Sequence, residues 1–82
     1  MTEDDLQKRP EFAGLPIYDE ADSRCDDLLR CRDPAYDGTI HEAGDDVHFW
    51  KLLQDAQLEP KGAIRYSPEN VRAVFWRKRG DA

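Results

Sequence analysis

His41, Asp45 and His48 stand at i, i+4 and i+7. On one helix they would share a face and offer legitimate Zn²⁺ ligands, with Cys25 or Cys31 as an outside fourth. The intervals His-x₆-His and Cys-x₅-Cys are not those of the tight zinc motifs, so no metal is expected and this trio stands only as a distant alternative. The same cysteines and histidines, with any of several aspartates, supply the types a nucleophile, its base and an orienting group require. Cys25, however, sits among apolar neighbours as a small buried hydrophobe would. No glycine-rich phosphate loop or nucleophile elbow occurs, and a chain of 82 residues leaves little room for a substrate cleft. The expectation is a non-enzymatic protein without a cofactor.

A second set lies toward the C-terminus. Arg72, Trp76 and Arg79 fall at i, i+4 and i+7, with Arg65, Arg77 and Lys78 close by. On a helix, guanidinium, indole and guanidinium would line one face, where cations meet phosphates and an exposed indole stacks on an unpaired base. The overall charge of −6 opposes a nucleic-acid reader, which is usually basic.

The third set is acidic. Asp19, Glu20, Asp22, Asp26, Asp27, Asp33, Asp37, Glu42, Asp45 and Asp46 lie within 28 residues. Residues 1–59 carry sixteen Asp/Glu against six Lys/Arg, a net −10, whereas residues 60–82 carry two acids against six bases, a net +4. Like charges at helical spacing repel, and a small domain that tolerates this repulsion has a negative field to present. Solvated faces and solubility explain charge runs more cheaply. Among specific functions, the leading expectation is a small binding, inhibitor or adaptor protein. Its acidic helical face (Asp19, Asp22, Asp26, Asp27, Asp33, Asp45 and Asp46) would meet a basic protein, which could itself be one that binds nucleic acid, making this chain a mimic. Tyr36, Trp50, Tyr66 and Trp76 would be its aromatic anchors. The alternative is a nucleic-acid-binding regulator that uses Arg65, Arg72, Trp76, Arg77, Lys78 and Arg79.

The elements that must position these groups follow from hydropathy. Phe49, Leu52, Leu53 and Ala56 recur at i, i+3, i+4 and i+7, which predicts a helix. Thr39-Ile40-His41-Glu42 fits a capping box and permits a start near Ile40, but a start at Asp45, with an aspartate cap, is favoured. Tyr18, Ala21, Cys25, Leu28 and Leu29 predict an earlier helix over residues 18–33, which Pro34 would stop. On that helix Cys25 and Cys31 would lie roughly 9 Å apart, beyond disulfide reach. Ser67-Pro68-Glu69 reads as a helix start, and Val71, Val74 and Phe75 as the inward stripe of a helix running to about Arg79. The fold class expected is all-α: about three short helices, an irregular N-terminal arm over residues 1–17, a single domain over residues 18–82, and room for one short strand near Ile64.

The hydrophobic fraction of 39% lies below the usual figure of about 45–50%. A thin core favours help from a partner surface, a second copy included. No apolar run is long enough to span a membrane, and Met1-Thr2-Glu3-Asp4-Asp5 lacks the basic and apolar character of a secretory signal. A cytoplasmic location with reduced thiols is therefore expected.

Overall fold

Ile64, Tyr66, Val71, Val74, Phe75 and Trp76, the β-branched and aromatic residues of the last third of the chain, all lie in two strands of a sheet. The computed structural model describes residues 1–80. A helix α1 (Glu3–Gln7) and a 3₁₀ turn (Pro10–Phe12) precede a short strand β1 (Ile17–Asp19). Helix α2 (Arg24–Leu29), strand β2 (Tyr36–Ala43), helix α3 (Asp46–Gln54) and strands β3 (Leu58–Ser67) and β4 (Asn70–Lys78) follow. The sheet order is β1-β3-β4-β2, with β1 parallel to β3 and the other neighbours antiparallel.

The architecture is therefore α/β with a mixed four-stranded sheet, which corrects the all-α expectation. The largest correction is residues 68–79. Pro68 and Glu69 form the turn of a hairpin in which Ser67 pairs with Asn70, and proline pre-sets the backbone angle a turn needs as readily as that of a first helical residue. β4 lies between β3 and β2 and is covered on both sides. Val71, Ala73 and Phe75 enter one core, and Val74 enters the other. A strand buried on both faces has a nearly continuous apolar run, and Val71, Val74 and Phe75 within it happen to match helical spacing.

The stub near Ile64 is a ten-residue strand. It runs through Pro60 because the register shifts between Pro60 and Gly62, and such an irregularity tolerates a residue without an N–H. β2 occupies the stretch between the two expected helices, and the expected helix over residues 18–33 is reduced to the six residues of α2. α3 is the helix that survives, with the later of its two starts. The Asp45 side chain accepts the His48 N–H at 2.8 Å, and Phe49 N–H bonds Asp45 O at 2.9 Å. Its end falls at Gln54, so Ala56 lies beyond the helix and is exposed.

The two sheet faces have separate cores. On one face α1, the 3₁₀ turn and α3 bury Leu6, Phe12 and Phe49 against Ala63, Val71, Ala73 and Phe75. Phe12, Phe49 and Phe75 form a tilted aromatic trio with ring centroids 5.3 to 5.9 Å apart, a geometry that adds to area burial. The segment read as an arm thus contributes Leu6 and Phe12 to this core. On the other face α2 packs Cys25 and Leu28 onto Ile64 and Val74, flanked by Tyr18, Ile40 and Trp76.

Candidate protein-binding surface

Ion pairing decides which charges remain available. Arg24 clasps Asp22 at 2.6 Å, Arg65 bridges Glu3 and Asp19, and Lys61 meets Glu59 at 3.1 Å. Arg77 reaches Asp55 at 3.5 Å and bonds Gln57 Oε1 at 2.9 Å. Arg79 donates to the carbonyl oxygens of Pro34 at 3.0 Å and Tyr36 at 3.4 Å. Most of the basic C-terminal residues are thus committed inside the molecule. Among the described residues no ion pair engages Glu20, Asp26, Asp27 or Asp33, and all four are exposed.

These carboxylates do not form one helical face. Asp19 ends β1, Asp22 lies in the following turn, Asp26 and Asp27 are on α2, and Asp33 is in the loop after it, where it accepts the Ala35 N–H at 2.9 Å. Asp45 and Asp46 start α3 on the opposite side of the sheet, with Asp46 paired to Arg9 at 3.7 Å. What persists is the outer side of α2. Cys25 and Leu28 turn inward, leaving Asp26, Asp27 and a Leu29 that is 41% exposed. Spacing alone groups Leu29 with the inward residues, but α2 ends at Leu29 and the side chain is exposed.

Burial pushes the Cys25 thiol up, and the carboxylates of Asp22, Asp26 and Asp19 push it further. The thiol therefore stays protonated, donates to Asp19 O at 2.9 Å, and is a poor nucleophile. The side-chain and backbone N–H groups of Arg24 hold Asp22 below the usual carboxylate range. Beside α2 lies an open groove of about 530 Å³, lined by Asp19, Glu20, Ala21, Arg65, Tyr66 and Ser67–Pro68. Tyr66 is 37% exposed. Burial raises its phenol, as do the nearby carboxylates of Glu42 and Glu20, against the Arg72 guanidinium 5.5 Å from its ring centroid.

The other anchors divide. Trp50 is 52% exposed on the outer side of α3, beside Val47 at 68%, with the Arg9 guanidinium 5.6 Å from its ring. Tyr36 is buried, its hydroxyl donating to the Glu59 carboxylate and its ring 5.2 Å from Trp76. Trp76 is half-buried. Its Nε1–H donates to Leu28 O at 2.8 Å, and Lys61 Nζ lies 5.4 Å from its ring. That indole ties the end of α2 to the sheet and is already engaged, so it is not the free stacking platform the nucleic-acid reading needs. Replacing it, Trp76→Phe, removes the hydrogen bond and is expected to cost about 1–2 kcal/mol, read as a lower urea midpoint.

A strand also redistributes the basic set. Arg72, Trp76 and Lys78 share the α2 side, while Arg77 turns to the α3 side, where its Nη2 lies 3.4 Å from His41 Nε2. His41, Asp45 and His48 are likewise separated: His41 is on β2, and His48 is exposed with its Nδ1 3.3 Å from Asp45. Among the described residues no three or more His, Cys, Asp or Glu side chains are grouped to hold a metal. No described helix is long and apolar enough to cross a membrane.

Comparison with known proteins finds no matching family model, no similar curated protein and no similar solved structure.

Proposed function

We propose that this chain is a small non-enzymatic binding protein that presents an acidic surface to a basic protein partner. One observation carries the reading. Four of the six basic residues beyond position 59, Lys61, Arg65, Arg77 and Arg79, are engaged inside the molecule, while among the described residues no ion pair engages Glu20, Asp26 or Asp27, near the exposed Leu29 and the Tyr66 groove. The carboxylates would steer a basic surface into place, and Leu29 and Tyr66 would supply contact area that excludes water. The working surface in this reading is α2 and the groove beside it, not a continuous helical stripe.

The test uses a fluorescently labelled lysine-rich peptide as the basic probe, titrated with the purified chain at two salt concentrations. Binding that weakens with salt is expected, and the double variant Asp26→Lys/Asp27→Lys should bind about tenfold more weakly, chiefly through slower association. Unchanged affinity, with a native circular dichroism spectrum, would sink the proposal. A labelled single-stranded RNA titrated in parallel provides the contrary outcome. Tight RNA binding that is lost on Arg72→Ala or Lys78→Ala would replace it with the nucleic-acid reading.

A further inference from the structure

Three strands bring an aromatic corner together. Glu59 of β3 pairs with Trp76 of β4, and Trp76 pairs with Ile40 of β2. Tyr36, at the start of β2, reaches the same corner. Its ring meets Trp76 edge to face, with centroids 5.2 Å apart and planes at 77°, and its hydroxyl donates to the Glu59 carboxylate. Lys61 places its ammonium against all three groups: Nζ lies 4.6 Å from the Tyr36 ring centroid, 5.4 Å from that of Trp76 and 3.1 Å from Glu59 Oε2. Two rings within cation–π range and one carboxylate are the parts of a site for an organic ammonium.

The corner favours a positive charge. Burial works against the Lys61 charge, but its bonds to Tyr36 and Glu59 outweigh burial and hold the ammonium above its ordinary range. The Tyr36 hydroxyl, and after it Lys61, hold Glu59 below the usual carboxylate range, so the counter-charge is present at neutral pH. The walls are fixed by bonds that Lys61 does not make. Trp76 Nε1–H donates to Leu28 O at 2.8 Å, Tyr36 N–H donates to Asp33 O at 3.1 Å, and Arg79 Nη2 donates to Tyr36 O at 3.4 Å. Lys61 is held by its head group on a flexible four-carbon stem. It and Glu59 are only half-buried, so an ammonium from outside can take its place without opening either core.

We propose that Tyr36, Trp76 and Glu59 form a cage for an alkylammonium, the side chain of a lysine on a basic partner, and that Lys61 fills this cage in the free protein. The ligand class follows from the group now seated there, a primary ammonium on an aliphatic stem. That the lysine comes from a partner rests on the basic partner proposed above; the cage stands without it.

n-Butylammonium carries the same head group on a stem of lysine length, with no second charge. It is titrated into Lys61→Ala and followed by the Trp76 indole N–H resonance, with Trp50 as reference. Saturable binding with a Kd of about 1–10 mM is expected, and the parent chain should bind at least about tenfold more weakly because Lys61 competes. 1-Butanol, uncharged and of the same length, should not bind, and adding Glu59→Gln should weaken butylammonium at least about fivefold. Lys61→Ser replaces the alanine variant if the latter loses its native circular dichroism spectrum. For the partner, the labelled lysine-rich peptide should bind Lys61→Ala about tenfold more tightly than the parent. Lys51→Ala, which removes the same charge from α3, should gain less than about twofold. No saturable shift in a folded Lys61 variant overturns the proposal, as does equal binding of butanol or a parent chain that binds as tightly as the variant. Equal gains for the two lysine variants overturn the partner's lysine as occupant. Failure of the α2 surface shows instead as peptide affinity unaffected by Asp26→Lys/Asp27→Lys, with butylammonium still bound.

Discussion

Phe75→Ala is expected to unfold the domain. Phe75 is fully buried at the centre of β4, in edge contact with Phe12 and Phe49, so its ring joins the sheet to both the 3₁₀ turn and α3. Truncating a buried phenylalanine costs about 3–5 kcal/mol through lost burial and the cavity left behind. Small domains have little more than that to lose: about 5–15 kcal/mol is typical, and a chain with so thin a core belongs near the bottom of the range. Far-UV circular dichroism and urea unfolding check it. A variant with a native spectrum and a midpoint within error of the parent would show that the two helical segments do not depend on this ring.

The second large effect is expected at Gly62, where Gly62→Ala should cost about 2–3 kcal/mol through overpacking. A Cβ built there would lie 2.9 Å from Pro16 O and 3.2 Å from both Leu28 methyl carbons. The leucine can shift, but the carbonyl is backbone and accepts the Ala63 N–H at 3.0 Å where β1 joins the sheet. Relief therefore pulls β1 and α2 away from β3 together. The indole N–H resonance of Trp76, bonded to Leu28 O, should move, and the amides of α2 should exchange faster, while those of α3 and β4 keep their protection. Uniform loss of protection would mean that β1 and α2 are not a separable unit. An unchanged spectrum would mean that the backbone absorbs the methyl without loss.

Much of the chain's local punctuation was legible. Asp45 capping α3 and the inward face of Phe49, Leu52 and Leu53 depend on contacts within a few residues, and each appears where those residues place it. Ser67-Pro68-Glu69 does interrupt the chain, but as a hairpin turn and not as the helix start its residues suggest. The inward direction of Cys25 and Leu28 was also legible, because it rests on i, i+3 spacing within one and a half turns. The candidate surface was only half legible. Acid clustering named Asp26 and Asp27, yet which of the ten carboxylates stay unpaired depends on where distant cations come to rest. Arg65 reaches Asp19 across the β1–β3 pairing, 46 residues away in sequence.

The sequence by itself determined the acidic excess and the Asp45-capped helix α3, since composition and short-range geometry suffice for those. Tertiary structure alone decided that residues 70–78 are one of the sheet's two inner strands, that Trp76 is an internal tether, and that β2 is an edge. These outcomes require pairing between segments far apart in the chain. A strand flanked on both sides and buried on both faces loses the alternation that would mark it. Only its neighbours, which supply its hydrogen bonds, distinguish it from a helix.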